Sequence, residues 1–254
     1  MELIDIVTFA LFAMTAGLLI GCVGIGGVIL VPLLAYAGGV PIHTAIAAAM
    51  FSYLVSGAIG TYVFAKNKSI RWDLTAWMWA GAMPAAFLGA VTASVTSGWF
   101  LELCIGLLTG ASGLNTLLAK SNKDGEEGSQ LGKPALAGIG AFTGFASSLT
   151  GTGGPLVLVP ILMWLQIPVL TAIGLSQAIQ LPIAVLAAAG NIYAGTLDII
   201  LGCVLAAGIS LGTWGGAKLA HVLPKATLRL IVSVLMVIIG GLILVKIAYG
   251  ALAT

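Results

Sequence analysis

The stretch GCVGIGGVILVP, residues Gly21 to Pro32, sets four glycines and a proline inside an otherwise apolar segment. Each interior glycine costs a helix roughly 1 kcal/mol against alanine, and an interior proline about 3 kcal/mol. In hydrocarbon, where no water can satisfy a freed backbone group, such a break is costlier still. The reading of the fold turns on whether it occurs once or recurs.

The surroundings identify the solvent. The chain has 254 residues, 60% hydrophobic and 7% charged, with a mean hydropathy of +1.15. A soluble domain carries roughly a quarter charged residues. Apolar segments fall at 6–39, 41–64, 73–95, 98–118, 134–166, 168–194, 197–219 and 226–249. Their lengths suit a hydrocarbon core about 30 Å thick. The sequence therefore predicts an all-α polytopic membrane protein, with the lipid bilayer as its partner. Its ten basic residues are spread over several loops, so no nucleic-acid surface is expected. The N-terminus, MELID, has neither the basic region nor the small-residue cleavage site of a signal peptide, and reads as an uncleaved first helix. Cys22, Cys104 and Cys203 lie far apart in apolar sequence and form neither a metal spacing nor a disulfide framework. They read as small hydrophobes. No cofactor is expected, and the absence of a Walker motif argues against nucleotide hydrolysis.

The break recurs. A shift of 127 residues, half the chain, superposes Gly17 on Gly144, Gly24 on Gly151, Gly26 on Gly153 and Gly27 on Gly154. It also places Pro41 on Pro168, Thr44-Ala45-Ile46 on Thr171-Ala172-Ile173, and Gly81, Gly89 and Gly113 on Gly208, Gly216 and Gly240. The chain thus reads as a duplication. Residues 1–119 form the first membrane repeat, 120–133 a charged cytoplasmic connector, and 134–254 the second repeat. Glycines at four-residue intervals, such as Gly208, Gly212 and Gly216, suit close helix packing. GIGG and GTGGP weaken a helix more than packing requires, and read as true backbone breaks.

Segments 6–39 and 134–166 would each be about 50 Å long as continuous helices. They either extend far into water or turn at the glycines and leave on the side they entered. Eight single crossings would divide the basic residues seven against three. Re-entrant hairpins followed by three crossings per half would put nine together and leave only Lys246 opposite. The positive-inside rule favours the second arrangement. Corresponding loops agree: 66–71 is basic where 193–198 holds only Asp198, and 218–229 is basic where 95–99 is uncharged. The expectation is two inverted repeats with both termini outside.

In that arrangement the glycine tips approach the membrane middle, each followed by a short helix starting near Val28 or Leu156. The first amides of such a helix lack helical partners and carry about half a positive charge. This suits an anion, and matched broken helices are the pointer to a transporter's site. Gly24, Gly26, Gly27, Gly151, Gly153 and Gly154 would admit it to backbone. Thr150 and Thr152 lie beside the second tip, with Ser147 and Ser148 just before. Ser176, Gln177 and Gln180 follow on the next helix, with Asn191 about three turns later. The first-half counterparts of Gln177 and Gln180 are Met50 and Tyr53, with Ser52 between, so the site should be more polar in the second half. Interhelical hydrogen bonding is the plain alternative for the glutamines.

GIGG-VILVPLL, GTGGPLVLVPIL and AIGLSQAIQLPIA resemble motifs of the sulfite exporter TauE/SafE family, also called the 4-toluene sulfonate uptake permease family. The likeness covers essentially the whole chain as two related halves. Val28 stands where the first motif usually has a third glycine, and Leu175 where threonine is common. The resemblance implies a bacterial inner (plasma) membrane transporter moving sulfite, organosulfonates or related sulfur-containing anions. A homo-oligomer is a further partner the sequence allows.

Two rival functions fit parts of the sequence. Gly110-Ala111-Ser112-Gly113 has the form of an intramembrane serine protease motif, with His43 or His221 as base. Ser112 also lies within the packing stripe Gly106, Gly110 and Gly113, and no enzyme is expected. A passive anion channel through the same site is the nearer alternative. Glu102, Asp73 and Asp198, the acids that could carry protons, sit near segment ends, where interfacial or capping roles are usual.

Overall fold

The computed structural model describes residues 3–24, 26–118, 132–165, 167, 169–220, 222 and 224–252. Those residues form helices and short connections, without a strand among them. The first half holds α1 (Leu3–Val23), α2 (Gly27–Pro32) continued by a π-helical stretch (Leu33–Ala37), α3 (Ile42–Lys66), α4 (Trp72–Val95) and α5 (Gly98–Leu118). The second holds α6 (Lys133–Thr150), α7 (Gly154–Trp164), α8 (Val169–Tyr193), α9 (Ile199–Ala220) and α10 (Lys225–Leu252). Most of the expected connector, 120–131, lies outside the described residues, as does His221.

The long first segment is a hairpin. Gly26 packs against the backbone of Ala16 and Ile20, and Gly38 against the ring of Phe9, so the chain runs back along α1 after the break. In the second half α6 and α7 likewise pack on each other. Both first arms end on left-handed glycines, Gly24 at φ 81° and Gly151 at φ 66°. A side chain in that conformation costs roughly 1–2 kcal/mol, and these two positions are equivalent under the 127-residue shift.

The repeat extends to individual contacts. α1 lies along α9, with Gly208 on Ala10, Gly17 on Ile209 and Gly216 on Leu18. α4 lies along α6, with Gly81 on Ala137, Gly144 on Ala82 and Gly89 on Phe145. The same shift converts each contact of the first seam into one of the second. Small residues dominate because lipid supplies no hydrophobic drive between helices, leaving close van der Waals contact to hold them. The two equivalent pairs, α3 with α8 and α5 with α10, pack on each other and run antiparallel. Gly57 meets Leu181 where Gly60 meets Gln177, and Gly106 meets Ile243 where Gly113 meets Met236.

The surface is the reverse of a water-soluble protein's. Leu3, Val7, Leu11, Met14 and Leu18 form an exposed stripe on α1, and Leu230, Val234, Ile238, Leu242 and Val245 one on α10. Uncharged polar side chains are turned inward: Ser52, Ser56, Ser147, Ser148, Gln177 and Gln180 are all buried. Among the described residues, five helices are long and apolar enough to cross a membrane, and 27–37 and 236–249 form shorter apolar stretches. This is an all-α polytopic membrane protein.

Proline placement follows the same logic. Pro182, inside α8, has no N–H to give the carbonyl four residues earlier. That carbonyl, Ala178 O, accepts instead from Trp79 Nε1 of α4 at 3.1 Å.

Candidate functional site

The two breaks meet where α3 and α8 cross. Gly27 packs against the carbonyl of Thr152, and Gly24 against Pro155 and Ser176, so each tip touches the opposite half. Tyr53, fully buried on α3, joins them. Its hydroxyl is 3.2 Å from Gly27 O and 3.3 Å from Gly151 O. One phenolic proton serves both carbonyls, so the ties are shared or alternate.

On α8 the glutamines act as straps. Gln177 Nε2 donates to Ile20 O near the end of α1 at 2.6 Å, and that carbonyl also accepts from Gly24 N. Because a carbonyl can only accept, the orientation of this side-chain amide is fixed chemically. Gln180 Nε2 donates to Ser56 Oγ at 2.6 Å, and Ser56 passes its own proton to Tyr53 O. Thr61 Oγ1 donates to the backbone carbonyl of Gln177. Among the described residues, the atoms left buried without a partner include Gln177 Oε1, Gln180 Oε1, Ser147 Oγ and Ser148 Oγ, and on the outlying Asn191 the donor Nδ2. The glutamine nitrogens, which an anion would seek, are occupied in this conformation.

Around the second tip, Thr150 Oγ1 donates to Ala146 O, so Thr152 Oγ1 must be the donor in their 2.9 Å contact. Gly153 takes φ 77° and faces the Tyr53 ring, and Gly154 opens α7 beside Gln180. The first amides of α7 lack intrahelical partners, and Pro155 contributes none. Leu156 and Val157, which do carry N–H groups, are buried with them. Among the described residues no buried side chain is charged. The junction is therefore uncharged, buried and supplied with helix-start dipoles.

Gly24, Gly26, Gly27, Thr150, Gly151, Thr152, Gly153, Gly154, Ser176, Gln177 and Gln180 all fall in or directly behind this junction. Ser176 and Ser52 spend their hydroxyl protons on their own helices, at Ile173 O and Ala49 O. Asn191 is apart. It lies about 16 Å along α8 from Gln180, where its carbonyl accepts from Thr196 N and closes the helix end. Tyr53 entered the sequence reading only as the counterpart of Gln180, and Ser56 and Thr61 not at all. Helical spacing does place Tyr53, Ser56 and Gly60 on one face of α3, though it does not show which partner Ser56 receives.

Asp73, Asp198 and Glu102 occupy helix ends. Asp198 Oδ1 accepts from Leu201 N at the start of α9, Asp73 pairs with Arg71, and Glu102 pairs with Lys246. His43 bonds Thr96 O just before α5 at 2.9 Å. Ser112 lies roughly 20 Å further along that helix, beyond the reach of His43 as a base.

The protein-family model described as "Sulfite exporter TauE/SafE" matches residues 9–243. The chain is 25% identical over 236 residues to "Probable membrane transporter protein YdhB" of Bacillus subtilis (strain 168), an alignment covering 90% of this chain and 96% of that protein. No solved structure matches it. With a family match spanning both breaks and nearly the whole chain, this protein belongs to the sulfite exporter TauE/SafE family of membrane transporters.

Proposed function

We propose that the protein is a secondary transporter that exports small sulfur-containing anions of the sulfite or organosulfonate class across a bacterial plasma membrane. The observation that carries this reading is the meeting of both glycine breaks at one buried, uncharged junction. An anion there would be held by the helix-start amides of α7 and α2 without a full basic charge, and so could leave again. In a negative-inside cell an exported anion gains about 2.3 kcal/mol per charge per 100 mV, which supplies a driving force without nucleotide hydrolysis.

The proposed site comprises the two glycine tips with Ser52, Thr150, Thr152, Ser176, Gln177 and Gln180, and Asn191 at its outer limit. Tyr53, Gln177 and Gln180 are at most 1% exposed. A junction sealed from both faces supports alternating access rather than an open channel.

We read the halves as inverted repeats, 1–119 and 134–254, around a cytoplasmic connector. Antiparallel packing of the equivalent helices α3 and α8 supports this, because a two-fold axis between them must run across them and hence in the membrane plane. Single cysteines on a cysteine-free background test it. Asn67→Cys and Val222→Cys should both label from the cytoplasm and Ser97→Cys from outside; labelling of Val222→Cys from the side opposite Asn67→Cys sinks the inverted reading.

Function is tested by melting purified protein with sulfite, sulfoacetate, taurine, sulfate or thiosulfate, then measuring flux in proteoliposomes. A melting-point rise with sulfite or an organosulfonate and saturable flux are expected. Flux that grows linearly with concentration would mark a channel, and no response to any of the five would remove the substrate class.

A further inference from the structure

We infer that the groove between the first hairpin and α10 binds one bilayer phospholipid of the phosphatidylethanolamine class. The groove encloses about 220 Å³ between Ile29, Leu33 and Tyr36 of the hairpin and Ile239, Leu242 and Lys246 of α10. This is below the roughly 300–1,000 Å³ of small-molecule sites, and it suits a length of acyl chain rather than a whole solute. Its walls are apolar except at one end, where the Lys246 ammonium lies 3.8 Å from the centroid of the Tyr36 ring and 3.5 Å from Glu102 Oε2.

Depth and charge select the occupant. Glu102 is in the second turn of α5 and Lys246 in the second turn from the end of α10, with the exposed aromatics Trp99 and Tyr249 alongside in sequence. Aromatic and long basic side chains at helix ends mark the headgroup level. The apolar groove then runs into the hydrocarbon, where an acyl chain is the available filler. At its mouth Lys246 attracts a phosphate, while Glu102, already accepting from Lys246 at Oε2, repels a purely anionic headgroup and has acceptor sites left for further N–H donors. Phosphatidylglycerol offers no cation to Glu102, and the quaternary ammonium of phosphatidylcholine has no N–H. Phosphoethanolamine supplies both a phosphate for Lys246 and a primary ammonium for Glu102.

The other half does not repeat the trio in sequence. The 127-residue shift places Met163, Arg229 and Ala119 at the positions of Tyr36, Glu102 and Lys246. One site, in one leaflet, is expected.

The test offers delipidated full-length protein equal amounts of phosphatidylethanolamine, phosphatidylglycerol and phosphatidylcholine, with retained lipid read by native mass spectrometry. Phosphatidylethanolamine should be retained about tenfold over the others, the scale of a charge-assisted hydrogen bond. Glu102→Gln should abolish that preference, and Lys246→Gln should lower retention of both phosphatidylethanolamine and phosphatidylglycerol. Leu242→Trp changes an exposed residue, fills the groove while leaving the ion pair, and should displace lipid without loss of fold. Equal retention of all three lipids, preference for phosphatidylglycerol, or retention unchanged in Leu242→Trp would each overturn the assignment.

Discussion

The two broken hairpins occupy equivalent places in the repeat and use their glycines differently. At the first tip Gly24 has a positive φ, whereas Gly26 is right-handed at φ −76° and is glycine because a side chain there would run into the backbone of Ala16 and Ile20. In the second, Gly151 and Gly153 are both left-handed, and an added Cβ at Gly153 would make only ordinary contact with Tyr53. The first tip is thus constrained by packing and the second by backbone conformation. The returning arms differ as well. α2 gives way after six residues to a π-helical stretch, whereas α7 runs for eleven residues as one helix. The contact surface also differs between the halves: under the 127-residue shift Gln177 and Gln180 stand where the first half has Met50 and Tyr53.

The sharpest way to break this comparison is to add the same side chain to both tips. Gly26→Val forces atoms into α1 backbone that cannot yield, and overpacking of this kind costs 1–3 kcal/mol or more. We expect little or no folded protein, read by size-exclusion chromatography. Gly153→Val meets open contact but a left-handed backbone, at about 1–2 kcal/mol before its β-branch is counted. It should insert and fold, yet lose transport. Near-normal flux from Gly153→Val would show that the second break is a packing device like the first.

A smaller effect separates binding from strapping at the glutamines. As ligands, Gln177→Ala and Gln180→Ala should each weaken substrate binding by about 1–2 kcal/mol, the scale of a hydrogen bond to a charged group. Gln→Glu should weaken it further by replacing a donor with a like charge. Because both nitrogens are engaged with Ile20 O and Ser56 Oγ, binding would have to draw them off those partners. Calorimetry beside melting temperature distinguishes the outcomes: lowered stability with unchanged affinity in all four variants assigns the glutamines to helix strapping alone.

The smallest expected effect belongs to Tyr53→Phe, which keeps the ring and removes the one proton shared by the two tips. The loss should be about 1 kcal/mol of stability, the net worth of a single hydrogen bond. Hydrogen exchange should rise at both 26–28 and 151–154. Faster exchange at one tip alone would mean that the hydroxyl holds only that tip, and that the halves are not coupled through it.

The glutamines show how far a sequence can carry the site. Two amides at i and i+3 in an apolar helix identify a polar face because burying them unpaired is costly. Which atom of each is free depends on the partner that arrives from another helix, here Ile20 more than 150 residues away. Ser56 and Thr61 escaped notice for the same reason. Isolated hydroxyls in a membrane helix ordinarily bond their own backbone, and nothing local shows that one receives Gln180 and the other reaches Gln177.

Composition and local cost determined much by themselves. A 60% hydrophobic chain with 7% charge has to live in lipid. Paired glycines before proline have to interrupt a helix, and a 127-residue period has to produce two like halves, since each statement sums terms along the chain. Tertiary structure decided that the tips touch, that Tyr53 lies between their carbonyls, and that Gly26 serves close approach while Gly24 and Gly153 serve a left-handed turn. Those outcomes depend on which small-residue seams close, α1 on α9 and α4 on α6. Glycine and alanine stripes are common to nearly every helix of this chain, so the choice among them is made by the packing of all the helices together.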